Sequence, residues 1–191
     1  ELFAKYKTSA DAVDFTENST TDWLTGEKGT TYFFEKGVSV TLGSTNADTK
    51  FAKKSTTLDS YTATNCVQLG KKSNGSYMTI PVEGNCVIRI LWHNNKSIAT
   101  TDSDTKATNN SRGLYATASA TGATIKSVGG AYSDTAFYGY KANTDYNAKN
   151  ELATFNYTGS AGTVKIEVCS DDSGTSAGGA CYVYLVDVAA N

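Results

Sequence analysis

The clearest hydrophobic pattern lies in the centre of the chain, where apolar and polar residues alternate in three short stretches. These stretches cover residues 65–70, 76–82 and 86–92. Alternation of this kind predicts β-strands that bury one face. Turn residues separate the stretches, and the second is preceded by Asn74-Gly75, a strong hairpin signal. The pattern therefore predicts neighbouring strands joined as a meander.

Similar alternation recurs on both sides of this centre. The further predicted strands cover residues 31–34, 37–42, 112–117, 123–128, 152–158, 163–169 and 181–188. Trp92 has the same parity as Ile88 and Ile90, so we expect it in the core. No stretch of ten residues follows a helical period. The pattern predicts an all-β chain that folds as an antiparallel, jelly-roll-like β-sandwich.

The predicted strands are separated by polar stretches. Residues 44–60 are predicted as loop, and two longer loops are expected at 93–111 and 129–150. No linker or abrupt change of composition divides the chain, so residues 1–191 are expected to form one domain.

Composition and charge narrow the functional classes. Thr (28), Ser (18), Gly (17) and Asn (14) make up much of the 191 residues, which favours strands joined by polar turns. Lys and Arg total 17 against 19 Asp and Glu, for a formal net charge of -2. That balance lacks the basic excess that binds nucleic acid or anionic membranes. We expect neither nucleic acid nor insertion into a membrane.

Four cysteines suggest an oxidising compartment. Their spacing fits no zinc motif, and an even number in a Thr-, Ser- and Asn-rich chain is typical of secreted or cell-surface proteins. The predicted meander places Cys66 beside Cys86, and Cys169 and Cys181 flank one polar loop. We therefore expect disulfides Cys66–Cys86 and Cys169–Cys181, with four buried free thiols as the alternative.

The chain lacks the usual signatures of catalysis. His93 is the single histidine, no Gly-x-Ser-x-Gly elbow is present, and no glycine-rich phosphate loop follows a strand. We expect no enzyme activity and no cofactor. Two loop carboxylates acting on a glycan stay open as an alternative. Asp102, Asp104, Asp171 and Asp172 also leave a structural calcium ion open, although neither pair has the spacing of a known calcium loop.

Aromatic residues stand out in polar loops, above all between residues 132 and 146. Flat rings stack on the apolar face of a pyranose, while short polar side chains bond its hydroxyls. Packing of the same rings beneath the loop is the structural alternative. The candidate sugar-binding residues are Trp23, His93, Tyr132, Asp134, Phe137, Tyr138, Tyr140, Lys141, Asp145 and Tyr146. The doublets Lys53-Lys54 and Lys71-Lys72 matter if the glycan is acidic.

Several strand sequences together resemble a known pattern. They are Val13-Asp-Phe-Thr, Gly37-Val-Ser-Val, Tyr61 to Gly70, Met78-Thr-Ile-Pro-Val, Cys86-Val-Ile-Arg-Ile, Arg112-Gly-Leu-Tyr, Gly162-Thr-Val-Lys-Ile and Tyr182-Val-Tyr-Leu-Val-Asp-Val. This order is similar to the β-sandwich accessory modules of extracellular polysaccharide-degrading proteins in gut and rumen Firmicutes. Those modules include pectate lyase appendages and the starch-adherence proteins of the ruminococcal amylosome.

The resemblance implies non-catalytic carbohydrate binding that anchors a cell or an enzyme complex to its polysaccharide. Starch or maltooligosaccharide is the first choice of ligand, because the composition is similar to that of the starch-adherence proteins. The expected setting is a larger extracellular protein or complex. A pectin or uronate module and an adhesive cell-surface domain with a protein partner are the alternatives.

Overall fold

The described part of the chain is built almost entirely from β-strands. The computed structural model describes residues 13–14, 28–43, 50–52, 56–58, 61–63, 66–94, 112–128, 136–137, 151–170, 173–176 and 179–191. Among these residues, the helical pieces are two 3-10 turns, Glu35–Gly37 and Lys72–Asn74. The prediction of a chain dominated by β-structure is confirmed.

All pairings between the strands are antiparallel. The strands are β1 (Val13–Asp14), β2 (Thr31–Phe33), β3 (Ser39–Thr41), β4 (Lys50–Ala52), β5 (Thr56–Leu58), β6 (Tyr61–Ala63), β7 (Cys66–Leu69), β8 (Tyr77–Val82), β9 (Cys86–Asn94), β10 (Gly113–Ala118), β11 (Thr124–Ser127), β12 (Ala136–Phe137), β13 (Glu151–Thr158), β14 (Gly162–Cys169) and β15 (Cys181–Ala190).

The strands form two large sheets and one small pair. The first sheet has the order β11-β13-β9-β15-β7-β4, and β1 also pairs with β15. The second sheet has the order β12-β10-β14-β8-β3-β2. Strands β5 and β6 form the separate small pair. Consecutive strands β7, β8 and β9 alternate between the first sheet and the second. The predicted meander is therefore wrong, although its strands were placed correctly along the sequence.

The turn at Asn74-Gly75 explains part of this error. Gly75 has a left-handed backbone, with φ of 78°, as this dipeptide favours. It ends the 3-10 turn Lys72–Asn74, which carries the chain from the first sheet to the second. The two flanking strands do not pair, so the predicted hairpin is wrong.

One hydrophobic core is shared by the inward faces of both sheets. From the second sheet it receives Met78, Ile80 and Ile166, and from the first sheet Ile90 and Trp92. All are fully buried, because polar and apolar residues alternate along each strand and the apolar set points inward. The expectation that Trp92 lies in the core is confirmed.

A smaller cluster lies on the opposite face of the first sheet. It contains the buried residues Ala63, Cys66, Leu91, Tyr184 and Leu185. An irregularity between Val183 and Leu185 shifts the register of β15 against β9 and allows two consecutive β15 residues to join this cluster. The centre of the first sheet is therefore buried on both of its faces.

The predicted disulfide Cys66–Cys86 is wrong for topological reasons. Strand β15 lies between the strands that carry the two cysteines. Cys66 is level with position 184 of β15, whereas Cys86 pairs with Ala190, six positions further along. At ~3.3 Å per residue the offset is close to 20 Å, far beyond the ~5.5 Å between Cα atoms that a disulfide needs. The two thiols also belong to clusters on opposite faces of the sheet.

The predicted disulfide Cys169–Cys181 is not formed either, since all four cysteines are buried free thiols. Cys169 ends β14 and pairs with Gly113 in the second sheet, while Cys181 begins β15 and pairs with Leu69 in the first. Burial raises the pKa of the Cys181 thiol, the positive charge of Arg112 lowers it by a smaller amount, and Cys169 adds a further small increase.

Candidate functional site

Most of the sugar-binding residues predicted from the sequence lie outside the described part of the chain. These are Trp23, Tyr132, Asp134, Tyr138, Tyr140, Lys141, Asp145 and Tyr146. The structure places the backbone of the other two. His93 pairs with Tyr182 inside the first sheet, and Phe137 pairs with Leu114 on the edge of the second. The two residues belong to different sheets.

The outward face of the second sheet carries a different set of polar and aromatic residues. They alternate with core residues along five neighbouring strands, and most are half-buried or exposed. We call them the polar face: Thr31, Phe33, Ser39, Thr41, Tyr77, Thr79, Tyr115, Thr117, Lys165 and Glu167.

Two tyrosines flank a carboxylate at the centre of the polar face. Tyr115 on β10 pairs with Glu167 on β14. Tyr77 on β8 is level with Glu167 from the other side, one residue beyond the pair of Met78 and Ile166. Because strands lie ~4.8 Å apart, the two tyrosines are separated by roughly 10 Å. The register thus places one tyrosine ring on each side of the Glu167 carboxylate.

Two ammonium groups converge on that acid. Lys165 Nζ lies 3.4 Å from Glu167 Oε1, and Lys72 Nζ lies 4.0 Å from the same oxygen. Each ammonium also lies over a ring, 5.6 Å from the centroid, with Lys165 above Tyr77 and Lys72 above Tyr115. The cluster has two positive charges and one negative charge. Both lysine side chains are over a third exposed, so these ion pairs contribute little stability.

Lys72 also holds a loop against this cluster. Its Nζ donates a 2.9 Å hydrogen bond to the carbonyl oxygen of Gly174, and the backbone N–H of Ser73 donates to Ser176 Oγ at 2.8 Å. Gly174 has φ of +81°, and a Cβ there would lie 3.1 Å from the Tyr115 ring. The loop therefore packs against Tyr115.

The chemistry of the polar face suits binding of a polyhydroxylated ligand. Rings offer apolar surfaces, ammonium groups donate hydrogen bonds, and carboxylate and hydroxyl oxygens accept them. Glu167 is the one carboxylate of the polar face. Hydrolysis of a glycoside by a pair of acids would need a second carboxylate opposite it.

Sequence reasoning singled out Lys72, as part of a lysine doublet, but missed the rest of this cluster. Tyr77, Tyr115, Lys165 and Glu167 lie inside predicted strands, where tyrosine is an ordinary strand residue. The available signal was parity, because all four occupy the polar positions of alternating strands.

A separate cavity of about 420 Å³ lies at one end of the two sheets. Its apolar wall includes Val38, Pro81, Cys86 and Val188, and the charged residues Lys36 and Glu83 line it as well. Burial raises the pKa of the Cys86 thiol.

Two searches of the described residues gave negative results. They contain no group of three or more His, Cys, Asp or Glu residues that could hold a metal ion. No helix within them is both long enough and apolar enough to cross a bilayer.

Comparison with known proteins adds no family to this picture. No protein-family model matches the chain, and no curated protein matches it. The resemblance of the strand sequences to polysaccharide-binding accessory modules therefore stays a prediction.

Proposed function

We propose that this chain is a non-catalytic carbohydrate-binding domain whose two sheets pack as a β-sandwich and whose polar face holds the glycan. The observation that carries the proposal is the pair of tyrosines at the centre of that face. Tyr77 and Tyr115 flank Glu167, and two lysine ammonium groups lie within reach of the same carboxylate. Aromatic surface and hydrogen-bonding groups meet there on a rigid scaffold.

This combination matches what a pyranose presents. One side of the sugar ring is apolar and stacks on an aromatic face, while its hydroxyls both donate and accept hydrogen bonds. Lys165 lies over the Tyr77 ring in the free protein, and a long exposed lysine moves at low cost. A bound sugar would take the place of the ammonium group above the ring and leave that group free to bond a hydroxyl.

Starch or maltooligosaccharide is the proposed ligand, following the resemblance of the strand sequences. On this view the domain is secreted or displayed on a cell surface as part of a larger protein, and it anchors a cell or an enzyme complex to its polysaccharide. Binding would require no covalent chemistry and no cofactor, although a structural calcium ion is compatible with the proposal.

A uronate polymer is the second candidate, and the two lysines favour it. Lys72 and Lys165 give the cluster an excess of one positive charge, which a sugar carboxylate would neutralise. Attraction of this kind weakens as salt screens the charges. A neutral glucan would bind nearly independently of salt, so ionic strength separates the two ligands.

Isothermal titration with maltoheptaose, and with polygalacturonate at matched ionic strength, tests the proposal. We expect Tyr77→Ala to weaken binding at least fivefold, since loss of a stacked ring costs ~1–3 kcal/mol in nucleic-acid complexes and we transfer that scale to sugars. Tyr77→Phe is the matched control, because it keeps the ring and should bind like the parent.

Two results would contradict the proposal. Equal affinity of Tyr77→Ala and the parent would remove the polar face as the binding site. Absence of heat with both ligands, followed by silence on a broad glycan array, would reject carbohydrate binding and favour a protein partner.

A further inference from the structure

We infer that the polar face binds the interior of a glycan chain that runs across the strands, from Tyr115 over Tyr77 to Phe33. The inference rests on the proposed function, because it takes a glycan as the ligand. It adds the direction in which the chain lies and the length that the domain contacts.

The first observation is the exposure of Phe33. This residue lies on β2, the edge strand of the second sheet, and its side chain is 78% exposed. Its neighbours Tyr32 and Phe34 pack against the main core instead. Among the described residues, the other exposed large hydrophobic residue is Val128, which is 45% exposed. The fold thus uses the flanking aromatics for packing and leaves Phe33 outside.

The second observation is the spacing of the three rings. The strand order β10-β14-β8-β3-β2 places Tyr115, Tyr77 and Phe33 on the first, third and fifth strands. Each ring is therefore two strand spacings from the next, which is roughly 10 Å. Phe33 is level with Ser39 and Thr79, one outward position along β8 from Tyr77. The rings form a slightly diagonal row across the sheet.

The third observation is what lies between the rings. Glu167, with its two lysines, occupies the strand between Tyr115 and Tyr77. Hydroxyl residues occupy the strand between Tyr77 and Phe33, where Thr41 Oγ1 lies 2.9 Å from Thr31 Oγ1. Ring positions and hydrogen-bonding positions therefore alternate from strand to strand.

This alternation suits an extended polysaccharide. We take each sugar unit of the bound chain to advance by about one strand spacing, ~4.8 Å. Alternate sugars would then stack on rings, and the sugars between them would meet the polar side chains. Five strands correspond to about five sugars. Because the three rings are spread over five strands, we assign the row to internal stretches of the glycan.

Titration with oligosaccharides of increasing length tests the inference. Parallel series of maltose to maltoheptaose and of galacturonate oligomers keep the test independent of which glycan binds. We expect affinity to rise with each unit up to about five sugars and then to level off. Reduction of the end sugar of the longest oligomer with borohydride should leave its affinity unchanged.

Phe33→Ala gives the residue-specific test. Because Phe33 is exposed, this variant should fold like the parent. We expect it to weaken heptasaccharide binding at least fivefold and to leave trisaccharide binding unchanged, since a trisaccharide covers only the two tyrosines. Val128→Ala is the control, which removes the other exposed large apolar side chain, next to the first sheet, and should change neither affinity.

The outcomes separate this inference from the proposed function. If a trisaccharide binds as tightly as a heptasaccharide, or if Phe33→Ala binds the heptasaccharide like the parent while Tyr77→Ala does not, the row across the strands is overturned and carbohydrate binding stands. If neither series binds and a broad glycan array is also silent, both fail.

Discussion

The two sheets share one core yet differ on their outward faces. The outward residues at the centre of the first sheet, such as Leu91 and Tyr184, are fully buried in a second apolar cluster. The corresponding positions of the second sheet hold Tyr77, Lys165 and other polar-face residues, most of which stay accessible, while Ser39 and Glu167 are buried. The outward side chains therefore pack in a second apolar cluster in the first sheet, whereas they form a surface of polar and aromatic groups in the second.

The largest expected effect comes from placing one charge on each outward face. Leu91→Asp puts a carboxylate into a fully buried site, where an unpaired charge is too costly to accommodate, so we expect the domain not to fold. Thr79→Asp, at an outward position of β8, should leave the free energy of unfolding in urea within ~0.5 kcal/mol of the parent value. Equal tolerance of both changes would show that the first sheet is open on its outward side.

The next largest contrast in stability is between a buried ion pair of the first sheet and a half-exposed ion pair of the second. Asp187 is 2% exposed and its Oδ2 lies 3.7 Å from Arg89 Nη1 on the first sheet. Removing one partner of a buried pair leaves the other charge uncompensated, so Asp187→Ala should lower the free energy of unfolding by about 3 kcal/mol. Lys165→Ala removes a half-exposed partner of Glu167 and should cost less than ~1 kcal/mol. Similar losses for the two variants in urea titrations would contradict the contrast.

A moderate effect is expected where the loop meets the polar face. Gly174→Ala introduces a Cβ at a left-handed position and 3.1 Å from the Tyr115 ring. We expect a loss of about 1–2 kcal/mol in unfolding free energy. Thermal denaturation followed by circular dichroism measures it. Gly29→Ala is the control. Gly29 also has a positive φ, but nothing lies within 4 Å of its Cβ position. A cost at Gly174 no greater than at Gly29 would mean that the loop does not press on the ring.

The smallest effect concerns the buried thiols and pH. Burial raises the pKa of Cys181 above the ordinary value of 9.0, so the folded state favours the neutral thiol. The resulting stability is fully present below pH 9 and is lost as the pH rises through the folded-state pKa. Between pH 8 and pH 10, unfolding free energy should therefore fall less steeply for Cys181→Ala than for the parent. Identical slopes would show that Cys181 ionises as easily when folded as when unfolded.

The sequence predicts local structure well because alternation is a local property. Strands β8, β9 and β14 lie where the pattern placed them, within two residues at each end, and Trp92 is buried as its parity required. Short strands escaped detection: β4 and β5 lie inside residues 44–60, which were predicted as loop. Three residues carry too little alternation to be distinguished from a polar turn.

The alternation of polar and apolar residues does not predict which strands pair with one another. Cys66 and Cys86 begin strands that follow one another with one strand between them, yet β15, from the far end of the chain, lies between the two. Which strands become neighbours depends on how the whole set of apolar faces packs. The polar cluster was hidden for the same reason, since Tyr115, Glu167 and Tyr77 come together only through that long-range order.

The bond between Lys72 and Gly174 has a consequence for engineering. The ammonium group is held by a backbone carbonyl, which every residue at that position would supply. Its location depends on the path and length of the loop more than on the loop's side chains. Lengthening or shortening the segment between β14 and β15 would therefore move a positive charge across the polar face without altering any strand, so the charge pattern of this face can be redesigned from outside the sheet.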